Sequence, residues 1–158
     1  MDRQSWLVSW IGRTDHEAAA GGSMTDLGPI ATALSQPKRY DRVYLLTNYP
    51  YEQSHNYCGW LQEKCGYPGT KVDLYEIDLR SPIDYASIYA EVSKNLKAAR
   101  LPREDVELTF HLSPGTPAMA AIWIILAKTR FPATLIQTSR EQGLQSVDFI
   151  FDLASDFL

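Results

Sequence analysis

Apolar and polar positions along the chain fall into blocks that switch between two periods. Residues 6–11 (WLVSWI) form a short apolar run closed by Gly12, the pattern of a buried strand. The stretch GRTDHEAAAGGSMTD that follows has several glycines and few apolar anchors, and reads as a long loop. Met24, Leu27, Ala31 and Leu34 then recur at helical spacing, with Pro29 tolerated near the first turn. Residues 42–49 (RVYLLTNY) predict a second strand that Pro50 stops, and 52–64 a helix closed by Gly66. KVDLYEIDL, residues 71–79, alternates imperfectly and predicts a strand near a sheet edge. Ser81-Pro82 opens a helix with Tyr85, Ile88, Tyr89, Val92 and Leu96 on one face. A strand at 106–112 precedes a helix apolar nearly all round, with Met119, Ile122, Trp123, Ile125 and Leu126. Such a helix needs a second surface besides a sheet. The last strands fall at 134–138 and 147–153.

Strands alternating with helices imply right-handed crossovers and a mostly parallel sheet. The segment SREQGLQS between the last two strands is too short for a helical crossover, so that pair is expected as an antiparallel hairpin. The expected fold is α/β and Rossmann-like: a mostly parallel sheet, helices on both faces, and an antiparallel C-terminal edge hairpin. One domain, 1–158, holds it.

Composition narrows the function classes. A chain of 158 residues that is 45% apolar and 22% charged is a globular domain with a real core. A net charge of −4 and a pI near 5.3 exclude a basic stripe for duplex DNA. The N-terminus lacks a secretory pattern, and the longest apolar run, AMAAIWIILA, is far short of the ~20 residues a membrane span needs. A cytoplasmic protein with no membrane partner is expected. Cys58 and Cys65, seven apart, would be separated by about 10 Å of helical rise, too far for a disulfide. They match no zinc-ligand spacing, so reduced thiols are expected, with no metal and no cofactor.

Candidate chemistry concentrates in HLSPGTPAM, residues 111–119. In an open α/β sheet, ligands bind outside the carboxyl ends of the strands. Thr116 is placed to cap the following helix, with Pro117 at its first position. The amides of Gly115, Thr116, Ala118 and Met119 would then face an anion such as a phosphate. Ser113 adds a hydroxyl, and His111 is a possible acid or base at the strand end. Gly12, Arg13 and Thr14 follow the first strand, Thr47 and Asn48 the second, and Arg140 the fifth. Tyr49 and Tyr51 are candidates for stacking a base. No P-loop, no G-x-S-x-G elbow and no glycine-rich dinucleotide fingerprint is present.

The run from Phe110 to Ser139 resembles the second motif of the CARF family, the CRISPR-associated Rossmann-fold domains. The family loop typically reads Asp-x-Thr-Gly-Gly-Thr-Lys-x-Met. His111 stands for the Asp and Ser113 for the Thr. Gly115, Thr116 and Met119 match, while Pro114 and Pro117 replace the Gly and the Lys. Within the family the likeness is to the RtcR type, the N-terminal sensor of a regulator of RNA-repair genes, which shares the Ala-x-Leu-Ile-Gln-Thr-Ser ending found at 133–139. The resemblance implies a homodimer that binds a cyclic oligoadenylate or an RNA-derived oligonucleotide. It also implies a fused AAA+ ATPase and helix-turn-helix acting with sigma-54 polymerase. A ring nuclease or RNA-end phosphoesterase using Ser113 or His111 is the catalytic alternative.

Overall fold

Strand β1 (Gln4–Trp10) sends Trp6, Val8 and Trp10 into one apolar layer and Leu7 into another, the period-two alternation of a strand covered on both faces. The computed structural model describes residues 3–21, 27–66 and 68–148. Along the chain follow α1 (Arg13–Ala19), α2 (Pro29–Leu34), β2 (Arg42–Thr47), α3 (Tyr51–Cys65), β3 (Lys71–Glu76) and α4 (Tyr85–Ala98). Then come β4 (Val106–His111), α5 (Pro117–Thr129), β5 (Thr134–Ser139) and β6 (Gly143–Val147). The sheet order is β3-β2-β1-β4-β5-β6, parallel except for the antiparallel β5–β6 pair. This is the expected Rossmann-like α/β fold, with β3 at one edge and the closing hairpin at the other.

Two apolar layers sandwich the sheet. On one face, Ile88, Val92 and Leu96 of α4 and Met119, Ile122, Trp123 and Leu126 of α5 pack on Trp10, Tyr44 and Phe110. On the other, Ile30, Ala31, Ala33 and Leu34 of α2 and Tyr57 and Leu61 of α3 pack on Leu7, Val43 and Leu45. The nearly all-apolar α5 therefore lies against both the sheet and α4. Among the described residues Cys58 and Cys65 are free thiols, and no helix is long and apolar enough to cross a membrane.

Four local readings are corrected. The expected loop after β1 contains α1, in which Asp15 accepts from the Gly12 amide at 2.9 Å and closes the first turn. Seven residues are too few to show a helical period. The helix expected from Met24 is α2, six residues begun by Pro29, while residues 24–26 lie outside those described. Ser81-Pro82 is a turn, and α4 starts after Asp84, whose carboxylate accepts from Ser87 N at 3.1 Å. The hairpin partner of β5 is β6, not 147–153, most of which lies outside the described residues. Ser139 pairs with Gly143, whose φ of +67° lets a short loop reverse the chain.

Candidate ligand-binding cleft

β1 and β4 are neighbours in the sheet, but the chain leaves β1 toward α1 on one face and β4 toward α5 on the other. Their carboxyl ends therefore splay apart at a topological switch point, where open α/β sheets hold ligands. A cleft of about 280 Å³ opens there, lined by Ile11, Gly12, Arg13, Asn48, Tyr49, Pro82, Gly115, Thr116 and Met119. Seven sequence candidates, Gly12, Arg13, Asn48, Tyr49, Gly115, Thr116 and Met119, thus converge on one cavity, while Tyr51 is exposed at the start of α3 outside its lining.

The two glycines make that convergence possible. A Cβ on Gly12 would lie 2.7 Å from the Gly115 amide nitrogen, so the β1 and β4 loops touch only because Gly12 has no side chain. Gly115 has φ +90°, a left-handed conformation that favours glycine, and a Cβ there would meet Met119 Sδ at 2.5 Å.

At the start of α5, Thr116 is the N-cap and Pro117 the first helical residue, as the sequence predicts. The Thr116 hydroxyl accepts from Met119 N at 3.2 Å and donates to Pro82 O at 2.6 Å, tying the loop to the approach to α4. Its hydroxyl is therefore engaged within the protein. The amide cradle is also smaller than four donors. Met119 N is held by the cap, and Thr116 N points at Met119 Sδ, 3.4 Å away. A thioether is a weak acceptor that an anion readily displaces. Gly115 N and Ala118 N make no hydrogen bond within the described residues. Among the described residues Arg13 is the only cation lining the cleft, and its guanidinium reaches Glu17 at 2.9 Å on the exposed side of α1. The Asn48 side chain, half-buried in the cleft, has no hydrogen-bond partner among the described residues.

The remaining candidates lie elsewhere. Thr14 and Arg140 line a separate cleft of about 140 Å³ beside Pro29, Thr32, Thr138 and Ser139. Thr47 is fully buried, its hydroxyl 2.6 Å from Ser54 Oγ and accepting from Tyr49 N at 3.0 Å. Pro117 is exposed on the first turn of α5, outside the cleft lining. Ser113 donates to Thr138 O at 3.0 Å and accepts from Thr138 N at 2.7 Å, so its hydroxyl adds a rung beyond the end of the β4–β5 ladder. His111 is completely buried, with Nε2 2.8 Å from Thr138 Oγ1 and Nδ1 3.3 Å from Ser9 Oγ. Burial pushes its pKa down to about 3, so the ring is neutral at physiological pH. Both residues hold the loop from beneath, with their polar atoms engaged within the protein.

Sequence reasoning missed the organising role of Thr138 and Asp15. Thr138 Oγ1 meets His111 and donates to Pro29 O at 3.3 Å, while Asp15 also accepts from Ile30 N at 3.0 Å and so joins α1 to α2. An aspartate three residues after a glycine is the one local signal, a capping pattern.

The family model described as RtcR, regulator of RNA terminal phosphate cyclase, matches residues 30–153. The chain belongs to the RtcR family. A curated relative, the transcriptional regulatory protein RtcR of Escherichia coli strain K12, is 33% identical over 73 residues, which cover 46% of this chain and 14% of that protein. The RtcR-family chain thus aligns with a small part of that longer regulator. In structure it is similar to Csm6 of Enterococcus italicus bound to cyclic hexa-2'-fluoro-hexa-dAMP, with a TM-score of 0.70 at 14% identity over 94% of this chain and 43% of that one. It is also similar to protein VC1899 of Vibrio cholerae, with a TM-score of 0.58 at 13% identity over 90% of this chain and 33% of that one. The RtcR-family chain accordingly shares the Rossmann-like α/β fold of these two structures.

Proposed function

We propose that this chain is the ligand-sensing domain of a longer transcription regulator. It binds an RNA-derived nucleotide, a cyclic or linear oligoadenylate or an RNA end, without cleaving it. Binding controls an attached sigma-54 activator carrying an AAA+ ATPase and a helix-turn-helix. One observation carries the reading: the switch-point cleft is lined by Gly115 and Thr116 at the positive end of α5, where the Gly115 amide has no hydrogen-bond partner among the described residues, beside Arg13 and the free carboxamide of Asn48. Phosphate suits that amide, and a base or ribose edge suits Asn48. Membership of a regulator family and likeness to a Csm6 bound to a cyclic adenylate analogue support it. The engagement of Ser113 and His111 within the fold favours binding over phosphoester cleavage.

A homodimer fits the cleft's surroundings. Ile83 is 66% exposed and Tyr85 55%, just after Pro82, while Tyr51 is 49% exposed just after Tyr49. These apolar groups flank the opening, where a second copy would cover them.

Isothermal titration with cyclic and linear oligoadenylates and short RNAs, at low and high salt, tests the function. With Arg13 the only cation among the described residues that line the cleft, log K should fall with log salt at a slope of about −1. Chromatography of the ligand afterwards should recover it intact. Cleaved ligand would make the domain an enzyme, and the absence of heat with every nucleotide would overturn the sensing role.

A further inference from the structure

A second pocket, about 230 Å³, opens between α1 and α3 and shares no residue with the switch-point cleft. His16, Tyr57 and Trp60 form its aromatic wall, and Gln53 and Asn56 stand among its lining residues. The rings are in contact: His16 and Tyr57 centroids are 5.7 Å apart, as are those of Tyr57 and Trp60. His16 also packs on Tyr49 at 4.5 Å, and Tyr49 lines the switch-point cleft. A continuous aromatic row therefore runs from one pocket to the other.

The polar groups of this pocket are unspent. His16 is only 7% exposed, and its Nε2 is buried with no hydrogen-bond partner among the described residues. Burial pulls its pKa below the usual histidine value, which favours the neutral ring. A neutral buried imidazole without a partner is a costly arrangement that a ligand's polar atom relieves. Gln53 and Asn56 are exposed, and their carboxamides form no hydrogen bond within the described residues. Among the described residues no ionisable group other than His16 and the Tyr57 phenol lines the pocket, so it suits a flat, uncharged heterocycle. A cavity of about 150 Å³ accommodates benzene, so this one has room for a fused bicyclic ring.

We propose that the α1–α3 pocket binds a nucleobase of the ligand, stacked against Trp60 and read by Asn56 and Gln53. The inference rests on the sensing role proposed above and assigns base recognition to a pocket distinct from the phosphate cleft. A carboxamide is both donor and acceptor, and it matches the adjacent donor and acceptor of adenine best.

Nucleosides test this independently of the phosphate cleft, because they carry no phosphate. Trp6, Trp10 and Trp123 are at most 2% exposed, whereas Trp60 is half-buried, so quenching by an added nucleoside reports on Trp60. Adenosine should quench saturably and more tightly than guanosine, cytidine or uridine. The double variant Gln53→Ala/Asn56→Ala should weaken adenosine at least tenfold at an unchanged melting temperature. His16→Phe, which keeps the ring contacts and removes Nε2, should do the same; if it fails to fold, the double variant decides. No saturable quenching, together with oligonucleotide binding that the double variant leaves intact, would overturn the base pocket while the sensing role stands. Loss of all binding by the unmodified protein would overturn both.

Discussion

His111 shows how one residue can be placed at a site without facing the ligand. Its neutral ring links β1 through Ser9 to β5 through Thr138, and Ser113 ties the loop above it to the same threonine. The folded protein holds His111 at a pKa of about 3, against 6.5 when exposed. Between those values the unfolded chain binds more protons, so stability rises with pH in that window and levels off above pH 6.5. Chemical denaturation from pH 7 to pH 4.5 should show stability falling by up to about 1.4 kcal/mol per pH unit for each such histidine. The lowered pKa of His16 acts in the same direction. His111→Asn should flatten the slope. An unchanged slope would mean that His111 is protonated in the folded state.

At the scale of elements, α5 and its preceding loop serve stability and binding through different atoms. The Thr116 hydroxyl caps α5 and donates to Pro82 O, while Gly115 beside it lines the cleft with an amide that has no partner among the described residues. Thr116→Ala should therefore cost roughly 1–2 kcal/mol from the lost cap and hydrogen bond. Ser113→Ala should likewise lower the melting temperature, because it leaves both Thr138 backbone groups without their partner. If Ser113→Ala instead weakened ligand binding at constant melting temperature, its hydroxyl would belong to the ligand and not to the β5 end. Helix α1 matters just as much, since Asp15 fixes Gly12 and the start of α2 together.

For the whole molecule, the three most exposed large apolar side chains among the described residues, Ile83, Tyr85 and Tyr51, lie within three residues of Pro82 or Tyr49 of the cleft lining. Light scattering at micromolar concentration should give the mass of a dimer. Ile83→Asp with Tyr85→Ser should give a folded monomer whose melting temperature no longer depends on protein concentration, because neither side chain is buried in the core. A monomer before substitution would assign this surface to something other than a second copy. The α1–α3 pocket lies on the opposite face of the sheet from α5, so base and phosphate would be held by the two layers that the switch point separates.

The sequence by itself determined the alternation of strands and helices, the parallel sheet and its edge hairpin, and the Pro-Gly-Thr-Pro turn into α5. These follow from local signals: apolar period, proline and glycine punctuation, and a threonine cap ahead of a proline. The resemblance of residues 110–139 to the CARF motif was legible for the same reason, since a loop motif is contiguous in the chain. Only the tertiary structure decided which candidates share a cavity. Whether Ser113 faces a ligand or Thr138 depends on a strand 25 residues away, and whether His111 is open or sealed depends on Ser9, 102 residues away. The same holds for Gly12, whose missing Cβ matters because Gly115 lies against it. The aromatic row through His16 was hidden too, because its members come from α1, the end of β2 and α3, and pack together only once those elements cover the sheet.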